Sequence, residues 1–118
     1  DKQYVLSEKW YRRALELGPE DPHTLNNLSW LLSQEHGEDT DLLLESVSLA
    51  KRALLQHEAA FIWDTAAEAY WKSGDLESAF WAAQKALDLA VQGIGVMQDN
   101  GLVYYRQQLE KIEKALAR

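Results

Sequence analysis

Cysteine is absent from this 118-residue chain, which excludes disulfides, thiolate metal sites and thiol nucleophiles and leaves the redox compartment open. No run of 18 apolar residues occurs, so no helix able to span a bilayer is expected, and no basic-then-apolar leader precedes the first helical pattern. Clustered positive charge is missing too. Twelve Lys and Arg stand against nineteen Asp and Glu, scattered singly or in pairs, for a net charge of -7 and a pI near 4.9. That balance excludes a reader of nucleic-acid duplexes and gives no basic surface for direct membrane binding.

The motifs of catalysis are equally scarce. His23, His36 and His57 stand far apart and outside HExxH or HxH spacing, so a metal centre would have to be assembled across elements. Glu38-Asp39-Thr40-Asp41, with Glu45 beyond, has the composition of a calcium loop without its spacing or central glycine. It reads better as a solvated loop whose acids favour the following helix N-terminus. Gly93-x-Gly95 opens no GxxxxGK phosphate cradle and follows no strand pattern, and neither GxSxG nor SxxK occurs. No enzyme, cofactor or metal site is expected.

What the chain does contain is a recurring shape. Arg12-Arg13-Ala14-Leu15, Lys51-Arg52-Ala53-Leu54 and Gln84-Lys85-Ala86-Leu87 place their alanines 39 and then 33 residues apart. These separations bracket the period of about 34 residues found in helix-turn-helix arrays, with an insertion near residues 36–41. Leu25, Leu28 and Leu32 form one apolar stripe, introduced by an Asp21-Pro22 cap and N1 proline. Val47, Ala50, Ala53 and Leu54 form the stripe of its partner helix. Trp63, Ala66, Ala67 and Tyr70 form a third. Gly74 then suits a left-handed C-terminal position and Asp75 an N-cap, before Leu76, Ala79, Phe80, Ala83, Leu87 and Ala90.

These residues resemble the tetratricopeptide repeat (TPR). Trp63-x2-Ala66-Ala67-x2-Tyr70, continued by Ala79-x3-Ala83-x2-Ala86, fits its pattern, with Ala83 where an aromatic is usual and Val91 where proline is. Leu25-x2-Leu28-Ser29-x2-Leu32 with Ser46-x3-Ala50-x2-Ala53 is a looser copy. Ser7-x3-Tyr11-x2-Ala14, followed by Pro19, looks like the second helix of a preceding copy, which suggests a chain cut from a longer array. The resemblance implies an all-α fold of antiparallel helix-turn-helix repeats in a right-handed solenoid. Its parts are expected at 1–18 (second helix of a truncated repeat), 22–57, 60–91, a connection at 92–101 and a C-terminal capping helix at 102–118. The cap's seam is Leu102, Tyr105, Leu109, Ile112 and Leu116, with a dimerising coiled coil as the alternative. Trp63 and Tyr70 are expected as bulky inserts, and Ala67, Ala79 and Ala86 as the small positions that let helices approach.

In proteins of this kind, first helices line a concave groove that takes a peptide segment of a partner. Carried over, the groove residues are Asn26, Asn27, Trp30, Ser33 and Gln34, then Phe61, Asp64, Thr65, Glu68, Trp71 and Lys72. Asp64 and Glu68 depart from a carboxylate-binding groove, so the expected ligand combines apolar anchors with a basic or neutral polar group. Trp81 falls off its helix's apolar stripe and is expected under the 102–116 helix. Self-association through the convex face or the C-terminal helix is the alternative. A structural segment whose groove is filled internally is the rival to a peptide-binding module.

Overall fold

A computed structural model describes residues 2–96 and 101–118. The described residues form six helices and no strand: α1 (Lys2–Leu17), α2 (Pro22–Glu35), α3 (Thr40–Gln56), α4 (Ala60–Ser73), α5 (Leu76–Val91) and α6 (Gly101–Leu116). Each packs on the next as far as α5 and α6, and α2 also packs on α4. Of the connection expected at 92–101, residues 97–100 lie outside the described residues, and Gly101 already belongs to α6.

Local chemistry sets the helix ends. Asp21 caps α2, its carboxylate accepting from the His23 N–H, with Pro22 in the first turn. Asp39 caps α3 through the Leu42 N–H and Asp75 caps α5 through the Ser78 N–H. Gly74 ends α4 with φ of 89°, a conformation that costs a residue with a Cβ about 1–2 kcal/mol. The start of α4 follows a different plan. Ala59 has no capping side chain. Instead the N–H groups of Ala60 and Phe61 donate to the carbonyls of Ile94 and Gly95, at 3.1 and 3.0 Å. The chain leaving α5 thus returns to satisfy orphan donors more than thirty residues upstream.

Small residues govern the packing. Ala79, Ala82, Ala83 and Ala86 of α5 are buried with Ala66 and Ala67 of α4, while Trp63 fills the space beside them. Between α2 and α3 the close contact is polar. Ser29 Oγ donates to the Ser46 carbonyl at 2.7 Å and Ser46 Oγ donates to the Ser29 carbonyl at 2.6 Å, with both serines fully buried. Leu25, Leu28 and Leu32 are fully buried in a second cluster with Leu49, Ala53 and Ile62. In α6 the middle of the seam is inward, with Tyr105 and Ile112 buried, whereas Leu102 and Leu116 at its ends are exposed.

Trp81 is placed differently from the expectation. It does not pass under α6; it remains 52% exposed, with its ring edge-on to Trp63 at 4.8 Å. The reason is angular. α6 docks through Tyr105 and Ile112 onto the alanine side of α5, and Trp81 lies off that side. Helix α1 is the other departure from ordinary core packing, because it contains no buried residue. It is held by Tyr11 and Leu15 and by an ionic chain. Arg12 makes a bidentate pair with Glu45 of α3 at 2.8 and 2.9 Å and bonds Glu8, which meets His36 at the end of α2 at 2.9 Å.

Candidate functional site

Helices α1, α2, α4 and α6 surround a hollow of about 460 Å³. Asn26, Asn27 and Trp30 reach it from α2, and Phe61, Asp64 and Thr65 from α4. Six of the residues assigned to a groove from the sequence therefore meet on one concavity. They do so because α2 and α4 pack side by side, which gives equivalent helical faces a common outlook.

The remaining groove positions lie elsewhere. Gln34 is exposed and bonds Ser33 Oγ at 3.3 Å, and the Ser33 hydroxyl is engaged by the Trp30 carbonyl. Lys72 is exposed near the end of α4 and does not line the hollow. Glu68 and Trp71 are covered by α6. Lys111 Nζ sits 3.8 Å from Glu68 and 4.8 Å from the centroid of Trp71, a cation over an aromatic face. Thr65 lines the hollow but its hydroxyl donates to the Phe61 carbonyl of its own helix.

Residues the sequence reading did not include complete the lining: Tyr4, Ser7, Tyr11, Leu31 and Tyr104. A signal for Tyr104 existed. It precedes the seam residue Tyr105 by one position and lies seven before Lys111, so the two share a flank of α6 facing α4.

Electrostatically the hollow centres on Asp64. Asp64 Oδ2 accepts from the Tyr104 hydroxyl at 2.8 Å. Burial pushes the Asp64 carboxyl up to about 6, with Glu68 adding to the rise and the Tyr104 bond and Lys111 opposing it. Burial and the neighbouring Asp64 likewise raise both tyrosines of α6, Tyr105 to about 12. Asn26 is 8% exposed, and its Oδ1 has no hydrogen-bond partner among the described residues. An unmet buried acceptor of this kind costs on the order of 1–3 kcal/mol.

The histidines do not converge. His36 pairs with Glu8, while His23 and His57 flank Phe61, His23 stacked on its ring at 5.8 Å. Among the described residues no group of three or more His, Cys, Asp or Glu is placed to hold a metal ion, and no helix is long and apolar enough to cross a membrane. A second, larger hollow of about 1030 Å³ lies along the outer side of α1, bordered by Val5, Leu6, Trp10 and Leu31 and by charged groups from Glu8 to Glu35. Compared with protein-family models and with curated proteins, the chain matches none.

Proposed function

We propose that this chain is a TPR-like, non-enzymatic interaction module that binds a peptide segment of a partner protein in the hollow between α2 and α4. The observation that carries this reading is the shared concavity, to which α2 brings Asn26, Asn27 and Trp30 and α4 brings Phe61, Asp64 and Thr65. The side-chain amides of Asn26 and Asn27 offer hydrogen-bonding groups to an extended peptide backbone, and Trp30 and Phe61 supply apolar contact of the kind that dominates binding energy. Mechanistically this is recognition by a largely preformed cleft. NMR titration of the labelled chain with a panel of peptides, apolar-basic, apolar-neutral and acidic, tests it. Saturable shifts centred on Asn26, Trp30 and Thr65 from the first two groups are expected. Shifts confined to other surfaces, or a preference for acidic peptides, would refute it.

The outer side of α1 favours a second reading, that of a segment packing on another copy or another part of a larger protein. Val5, Trp10 and Leu17 there are 69%, 65% and 82% exposed, an unusual run for one helix of a monomer. Sedimentation of wild type beside Trp10→Ala separates the readings: a dimer lost on substitution supports packing through α1, and a monomer at all concentrations opposes self-association.

A further inference from the structure

We infer that the hollow between α2, α4 and α6 holds the ammonium group of its ligand, seated against Asp64 within aromatic walls. The inference rests on the peptide-binding reading and names the chemistry the peptide must bring. Among the described residues, five aromatic side chains line the hollow, Tyr4, Tyr11, Trp30, Phe61 and Tyr104, and no Lys or Arg does. The faces of such rings attract cations.

The local charge is unbalanced in the same sense. Asp64 and Glu68 face one cation of α6, Lys111, which is engaged with Glu68 and the Trp71 ring. Asp64 receives a neutral hydroxyl in place of a cation. An ammonium carries three donors and no acceptor, so it fits a carboxylate oxygen set among ring faces. A guanidinium is less suited, because its planar fork prefers both oxygens of a carboxylate and Tyr104 already occupies one. The volume, about 460 Å³, is within the usual span of ligand sites, about 300–1,000 Å³.

Lysine side chains and free chain N-termini both carry this group, and capped peptides distinguish them. The probes are acetyl-Gly-Lys-Gly-amide, Gly-Gly-Gly-amide with a free amine, and acetyl-Gly-norleucine-Gly-amide as the neutral isostere. The readout is the shift of the Trp30 indole N–H and the Asn26 side-chain amide. At least one cationic probe should bind at least tenfold more tightly than the norleucine peptide, and Asp64→Asn, which keeps an acceptor for Tyr104, should remove most of that preference. Binding should strengthen as pH rises through about 6, where Asp64 ionises. The titratable groups facing Asp64 are Glu68 on its own helix and Tyr104, Tyr105 and Lys111 on α6. On the other side of the hollow, α2 brings amides and Trp30, and α1 brings Tyr4 and Tyr11. Equal binding of the norleucine peptide, or no effect of Asp64→Asn, overturns the ammonium site and leaves the peptide groove standing. If none of the probes moves a hollow signal while longer peptides do, the ammonium site falls alone; if longer peptides are silent as well, both readings fall.

Discussion

Replacing Gly95 by alanine should be among the most damaging single-methyl changes in the molecule, and the reason lies in how α4 begins. Gly95 has φ of +68°, which alone costs alanine about 1–2 kcal/mol. A Cβ at this position would fall on that of Ala59 and come within 2.8 Å of Ala59 Cα and 2.9 Å of Ala60 N. Those neighbours are backbone or fully buried, so the connecting segment must move away. Moving it breaks the bonds from Ala60 and Phe61 to Ile94 and Gly95, each worth about 0.5–1.5 kcal/mol. The expected loss is therefore roughly 2–5 kcal/mol in urea denaturation, or a fall in Tm on the order of 8–20 °C for a chain of this size. Gly93→Ala is the matched control. It has φ of +75° but open space around a Cβ, so only the conformational cost of about 1–2 kcal/mol applies. If the two variants differ by less than about 0.5 kcal/mol, the returning segment does not hold α4, and the account given of its N-terminus is wrong.

Three further outcomes are expected. Asn26→Leu should raise stability by about 1–2 kcal/mol, since it removes an unmet buried acceptor, and should abolish peptide binding; a loss of more than about 1 kcal/mol in the same urea assay contradicts this. Asp64 is raised in the folded chain to about 6, so the folded state holds its proton more tightly than the unfolded state does. Stability from this group is present in acid and is lost as pH rises from about 4 to about 6, by on the order of 2–3 kcal/mol. Asp64→Asn should flatten that part of a stability-against-pH curve, and an unchanged curve would count against the burial of the carboxyl. Ala79→Leu should cost about 1–3 kcal/mol by overpacking and Trp63→Ala about 3–5 kcal/mol through lost burial and a cavity; wild-type denaturation midpoints for both would show that the α4 and α5 faces have been misread.

What could be read from the sequence was local. Asp21-Pro22 and Gly74-Asp75 mark helix ends because caps and left-handed turns depend on neighbours a few positions away, and both act as expected. The leucine stripe of α2 and the alanines of α5 are buried because periodicity fixes the face a helix turns inward. What escaped was set by partners distant in the chain. A wheel places Trp81 off the stripe of α5, but it does not say that Trp63 stops its ring at the surface. Glu68 and Trp71 look like open groove on α4 until Lys111 of α6 is laid over them. The tyrosines of α1 and α6 belong to the hollow only because those helices close its sides. Nothing in the neighbourhood of Ala59 announces that its helix is finished by carbonyls from residues 94 and 95.

The attachment of α1 gives the hollow an unequal border. Tyr4 and Tyr11 stand on a helix with no buried residue, whose ion pairs to α2 and α3 include Arg12 with Glu45 and Glu8 with His36, all within reach of water. Mobile ions weaken such contacts and leave the leucine and alanine layers untouched. Brine should therefore loosen one side of the cleft well before the molecule melts, turning a four-walled recess into an open shelf.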